Sequence, residues 1–99
     1  MKIYLIAVIE DIKENEYFSI FNSRTIGYFS TLEEAKAIVE TNCCDIHETC
    51  YKYAVIEEVA DGLYTSFNSS SFWYEWKNNK YVSIDRPKEA ENQFGFTIG

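Results

Sequence analysis

Residues Arg24–Val59 read RTIGYFSTLEEAKAIVETNCCDIHETCYKYAVIEEV, and the order strand, capped helix, cysteine-bearing turn, strand is written into them. Ser30 and Thr31 are both N-cap residue types, and Glu33 and Glu34 follow each at the capping-box spacing, where hydroxyl and carboxylate satisfy orphan amides. Leu32, Ala35, Ile38 and Val39 recur at helical spacing and form one apolar stripe. Lys36 and Glu40 stand at i,i+4, a pair worth about 0.3–0.5 kcal/mol when exposed. Thr41 and Asn42 end the helix, because both are poor helix formers and Asn tolerates the left-handed cap geometry. An outward face carrying Glu33, Glu34 and Glu40 repels nucleic acid, so this is a surface helix packed on a sheet.

Outward from that stretch, Tyr51, Tyr53, Val55 and Val59 share one strand parity, with Lys52 and Glu58 on the other, which predicts a half-exposed strand. On the N-terminal side, Tyr17–Phe21 and Arg24–Phe29 read as a hairpin turning at Asn22-Ser23. Gly27 inside the second strand predicts a bulge or a close approach by another backbone. Ile3–Ile9 (IYLIAVI) is apolar on both parities, the mark of a strand buried on both faces. A single helix covers one face only, so the other falls to the later aromatic segments or to a second copy of the chain. Glu10–Glu16 reads as an acidic loop, Asp61-Gly62 as a turn and Thr65–Ser71 as a polar loop. Phe72–Lys77 and Lys80–Ile84 form a second hairpin, joined by Asn78-Asn79, which suit the positive φ of a type I′ turn. Asp85-Arg86-Pro87 starts a short helix or turn running to about Asn92, and Phe94–Gly99 is a last strand. The fold class is α+β: a single antiparallel sheet of about five or six strands, one main helix packed on one face, and residues 1–99 as a single domain.

Ninety-nine residues suffice to bury a core without a metal or disulfide scaffold. The net charge of −7 leaves no basic footprint, which excludes direct nucleic-acid binding. The acids fall in pairs (Glu10-Asp11, Glu33-Glu34, Glu57-Glu58) and not in runs, as solubility charge does; nucleic-acid mimicry is the lesser alternative. The apolar run after Met1 and Lys2 is too short for a secretory leader or a bilayer span. An odd count of three cysteines argues against a secreted disulfide framework, so a cytoplasmic protein with reduced thiols is expected.

Cys43, Cys44, His47 and Cys50 are the one cluster of metal-ligand types, with Cys44, His47 and Cys50 the candidate zinc ligands. Adjacent cysteines rarely hold the same ion, and no second ligand pair follows elsewhere, so the cysteines read first as small, partly buried corner residues. No nucleophile elbow, phosphate loop or EF-hand loop is present, which predicts a non-enzyme without a cofactor. The aromatic hairpin carries more. Phe72, Tyr74 and Trp76 share one parity and Trp73 the other, so either Trp73 or the Tyr74/Trp76 pair is expected to face outward unless a helix and a dimer mate bury both faces. An outward ring beside a polar loop suits a flat ligand or a protein partner. Arg24, Lys77, Lys80, Arg86 and Lys88 are the cations at hand for a phosphate. Candidate ligand-binding residues are therefore Trp73, Tyr74, Trp76, Arg24, Lys80 and Arg86.

The segments GYFSTLEEAKAIVETN, CDIHE and YKYAVIEEVADGLY, followed by FWYEW, KY and a terminal FGFTIG, resemble an uncharacterised group of short acidic proteins of bacteria and their phages. The resemblance spans most of the chain after Arg24. It implies a shared fold and carries over no site residue. By analogy with small acidic proteins of phages, the expected function is non-enzymatic binding: sequestration of a nucleotide-type signal of host defence by a self-associating protein. The alternatives are inhibition of a host defence protein through an acidic and aromatic surface, and a zinc-binding accessory role.

Overall fold

The computed structural model describes residues 2–10, 13–14, 19–20, 23–60 and 70–86. Strands β1 (Lys2–Ile9), β4 (Ser23–Phe29), β5 (Tyr53–Ala60), β6 (Ser71–Lys77) and β7 (Lys80–Ile84) form one antiparallel five-stranded sheet in the order β4-β1-β5-β6-β7. Helix α1 (Leu32–Glu40) lies against one face, giving the α+β class that the sequence predicts. A separate two-stranded ladder joins β2 (Lys13–Glu14) to β3 (Ser19–Ile20). That ladder corrects two expectations: Lys13–Glu14 is strand and not loop, and Ser19–Ile20 pair with it and not with β4. The turn at Asp61-Gly62, most of the polar loop before β6, the helix from Pro87 and the strand Phe94–Gly99 lie outside the described residues.

Thr31 caps α1, its hydroxyl accepting from the Glu34 amide at 3.3 Å and donating to the Glu34 carboxylate at 2.9 Å. The box is thus closed through the hydroxyl, with Glu33 and Glu34 at the positive end of the helix dipole. At the other end the Thr41 amide and hydroxyl both donate to the Ala37 carbonyl, and Asn42 takes the left-handed conformation at φ 48°. Lys36 does not pair with Glu40. Its ammonium lies 5.3 Å from the Phe72 ring centroid, while Glu40 accepts from the Tyr74 hydroxyl at 3.0 Å.

Two cores result, one on each face of the sheet. On the helix face Ile6, Val8, Ala54, Ile56, Tyr74 and Tyr81 pack with Ala35, Val39 and Ile46. On the other face Ala7, Ile9, Tyr53, Val55 and Trp73 pack together, with Ile84 against them. Ile6, Ala7, Val8 and Ile9 have no exposed surface within a single chain, so the second half of β1 is buried on both faces, while Ile3, Tyr4 and Leu5 are half-buried. The reading of β5 as half-exposed is corrected in the same way. It is the central strand, and Tyr53 to Glu57 are all buried, including the Glu57 carboxylate residue at 3% exposure. Lys52 and Glu58, which suggested a wet face, sit at its ends, where Lys2 Nζ meets Glu58 Oε1 at 2.8 Å. The β6–β7 turn is as expected, with Asn78 and Asn79 at φ 52° and 64°. Among the described residues no helix is long and apolar enough to cross a membrane.

Candidate functional site

A concavity among the described residues follows from a mismatch between β1 and β4. Ile6 pairs with Gly27 and Ala7 with Thr25, so Ile26 is an extra residue that bulges the edge strand. Ile26 and Phe29 turn toward the helix-side core. Gly27, which pairs with Ile6, has nothing within 4 Å of where a Cβ would stand. The bulge expected at Gly27 is therefore present and the close backbone approach is not.

Opposite β4 runs the turn from Asn42 to Cys50. The two enclose a cleft of about 490 Å³. Its floor is apolar: Ile6, Ile26, Phe29, Ile38 and Ile46, with the gap left by Gly27. Cys43, Cys44 and Tyr28 stand on its walls, and Tyr28 is the one exposed large hydrophobic residue among the described residues, at 67%. Arg24, Asp45 and Glu48 form the polar rim. The Arg24 guanidinium is ion-paired with the Glu48 carboxylate and lies 5.7 Å from the Tyr51 ring centroid, so it is held over the mouth from two sides. The volume falls within the range of about 300–1,000 Å³ typical of small-molecule sites.

The residues singled out from sequence are divided among four places. Arg24 stands on this rim. Trp73, Tyr74 and Arg86 come together at a second, more polar cleft of about 200 Å³, with Lys36, Ser71 and Ser83 also on its walls. Trp76 stacks on His47, ring centroids 3.8 Å apart and planes 9° from parallel, with the Tyr81 ring edge-on at 5.0 Å. Lys80 sits at the tip of the β6–β7 hairpin across from Lys77, away from all three. The expectation that Trp73 or the Tyr74/Trp76 pair faces outward is corrected. Trp73 is 3% exposed in the second core, Tyr74 is 2% exposed under the helix, and Trp76 is half-buried beneath an imidazole. The cause is topological: β6 has a neighbour on each side and a core on each face.

Two tyrosines are tied into this end of the core. Burial, then the hydrogen bond to Glu40, pushes the Tyr74 hydroxyl well above the ordinary tyrosine range. Burial does the same to Tyr81, whose hydroxyl donates to the Tyr51 carbonyl at 2.8 Å.

Among the described residues no three His, Cys, Asp or Glu side chains stand close enough to hold an ion, and His47 is committed to Trp76. Cys43 is half-buried, while Cys44 and Cys50 are exposed, so only the first behaves as the expected corner hydrophobe. Sequence reasoning missed Ile26, Phe29, Ile38, Ile46 and Glu48 as cleft residues. Gly27 was the one signal pointing there. No protein-family model, curated protein or solved structure matches the chain.

Proposed function

We propose that this chain is a non-enzymatic binding protein that holds a flat, nucleotide-type small molecule in the cleft between β4 and the Asn42–Cys50 turn. The observation that carries this reading is an apolar floor left open at Gly27 beneath a single guanidinium. A base or similar ring would lie on Ile26, Phe29 and Ile46, and one anionic group would take the place of the Glu48 carboxylate on Arg24. Two carboxylates, Asp45 and Glu48, share the cleft lining with Arg24, so the site favours an uncharged or singly phosphorylated ligand over a polyphosphate. In line with the resemblance drawn from sequence, the biological use is to withhold such a signal from a bacterial defence system.

The test is native mass spectrometry on gently purified protein, followed by titration with nucleosides and nucleoside monophosphates and with the apolar dye anilinonaphthalene sulfonate. Expected is one bound ligand per cleft, weakened about tenfold or more by Arg24→Ala for phosphorylated ligands only. Ligand uptake that survives filling the cleft with Gly27→Leu would refute the reading. The same spectrum reads the copy number, and so tests self-association.

A second reading, inhibition of a protein partner, is favoured by Tyr28. It is 67% exposed on β4, which pairs only with β1 among the described strands. Such an edge suits strand addition by a partner. Loss of partner capture with Tyr28→Ser, with capture kept when Gly27→Leu fills the cleft, would favour it over sequestration.

A further inference from the structure

The two adjacent thiols of the turn are unusual in where they point. Side chains of consecutive residues diverge in a strand, where they take opposite faces, and in a helix. Here Cys43 Sγ and Cys44 Sγ lie 3.7 Å apart, in contact. The backbone achieves this by placing Asn42 (φ 48°) and Cys44 (φ 57°, ψ 24°) in the left-handed region, on either side of Cys43. For a residue other than glycine that conformation costs about 1–2 kcal/mol. Both cysteines are among the residues lining the cleft, and Cys44 is exposed, so reagents reach the pair. Cys50, the third thiol of the turn, is exposed and stands apart from that contact.

We infer that Cys43 and Cys44 form a reversible oxidation site, a vicinal dithiol that a peroxide closes to an intrachain disulfide on the cleft wall. One thiolate attacks a peroxide oxygen and the O–O bond breaks, giving a sulfenic acid and one water. The neighbouring sulfur then displaces the sulfenic oxygen as a second water while the S–S bond forms. Two thiols and one peroxide thus give one disulfide and two waters, with the sulfurs giving up two electrons and the peroxide accepting them. The sulfurs have only to move from 3.7 Å to about 2.05 Å.

Chain connectivity makes the product labile. Consecutive Cα atoms are about 3.8 Å apart, short of the usual disulfide span of about 4.4–6.8 Å. Such a bond is readily reduced, which is the behaviour of a regulatory pair and not of a structural one. Hydrogen bonding to Cys44 holds the Cys43 thiol above its ordinary range, and Cys44 is the more exposed of the two sulfur-bearing residues. Drawing the two sulfurs together reshapes one wall of the cleft. That consequence rests on the ligand reading above; the oxidation itself does not.

The test uses the full chain carrying Cys50→Ser, treated with hydrogen peroxide folded and in urea, and read by intact mass and peptide mapping. Expected is loss of two hydrogens within the Cys43–Cys44 peptide, about tenfold faster in the folded protein, and reversal by dithiothreitol. Equal or faster closure in urea would overturn the inference, since the native turn would then contribute nothing. So would sulfinic acid at Cys44 in place of the disulfide, or pairing of Cys50 with either thiol in the unsubstituted chain. Dye uptake measured before and after oxidation separates the two readings. A change supports coupling to the cleft, and no change refutes that coupling while the mass result alone decides the thiol site.

Discussion

Filling the cleft from its floor should make the protein more stable and less able to bind. Gly27 lies inside β4, its φ is outside the left-handed region, and an added Cβ meets nothing within 4 Å. Gly27→Val therefore asks for no backbone change. Removing glycine's freedom in the unfolded chain is worth about 0.4–1 kcal/mol at a compatible site. Full burial of a valine side chain is worth about 1.5 kcal/mol or more, and an open cleft encloses it on one side only, so about half of that applies. The sum is about 1–2 kcal/mol, or roughly 4–16 °C in the melting temperature of a domain this size. Urea and thermal unfolding of Gly27→Ala beside Gly27→Val divide the two contributions, since alanine supplies the first and little of the second. Binding of anilinonaphthalene sulfonate should fall in the order glycine, alanine, valine. Destabilisation by both variants would show that the space at Gly27 is taken. Stabilisation with unchanged dye binding would place the apolar site elsewhere.

The remaining predictions concern the supports of the site. Tyr74→Phe leaves Glu40 without its buried donor and should cost about 1–2 kcal/mol in urea unfolding, whereas an exposed tyrosine changed likewise should cost almost nothing. Because the folded chain raises Tyr74 and Tyr81, their contribution is full below the unfolded tyrosine pKa and is lost as pH rises toward the folded values. A tyrosine absorbance titration should show these two ionising only with unfolding. Glu58 is shifted the other way. The Lys2 hydrogen bond lowers its pKa, so its contribution is present above the unfolded value and lost as pH falls through the folded one. Lys2→Ala should raise the Glu58 pKa read by NMR. Thr49, β-branched and at φ 58°, should be stabilised by about 0.5–1 kcal/mol on Thr49→Gly; a loss of stability would mean that its hydroxyl contact to the Glu48 carbonyl outweighs the strain.

Much of this architecture is legible in the residues because the signals are local. The capping box, the apolar stripe of α1 and the paired asparagines of the β6–β7 turn each act within a few positions, and each is found where the sequence puts it. The two-faced burial of β1 is read from its apolar run, and it holds for Ile6 to Ile9 while Ile3, Tyr4 and Leu5 are half-buried. Failures occur where a long-range partner decides. Lys52 and Glu58 bracket a strand whose centre is buried by neighbours on both sides, which the parity of the end residues conceals. The aromatic hairpin looks like a surface only while β5 and the second core are unknown. The cleft is the most hidden feature. Its walls meet through a guanidinium and a carboxylate twenty-four positions apart, Arg24 and Glu48, and through Ile46 packing back onto the core.

The Asn42–Cys50 turn concentrates what is most strained and what is most reactive in the described chain. Asn42, Cys44, Asp45, Glu48 and Thr49 all have positive φ, and none is glycine. Asn and Asp tolerate this region, so the cost of about 1–2 kcal/mol apiece falls on Cys44, Glu48 and Thr49, and the turn is costly unless other interactions offset it. Local hydrogen bonds do part of this: Asp45 N to Asn42 O, Glu48 N to Asp45 O, Tyr51 N to His47 O, and His47 N to the Asn42 side chain at 2.9 Å. Tertiary contacts supply the rest. Ile46 is buried in the helix-side core, His47 stacks on Trp76, and Glu48 holds Arg24. Glycine at Asn42, Cys44, Asp45 or Glu48 would remove the Asn42 cap, a thiol or a rim carboxylate, whereas Thr49→Gly removes only a hydroxyl contact to the Glu48 carbonyl. Retaining side chains at left-handed positions is how a chain presents chemistry on a tight turn at the expense of stability. The strain therefore points to the same wall of the cleft that the vacancy at Gly27, the Arg24–Glu48 pair and the two sulfurs in contact mark out independently.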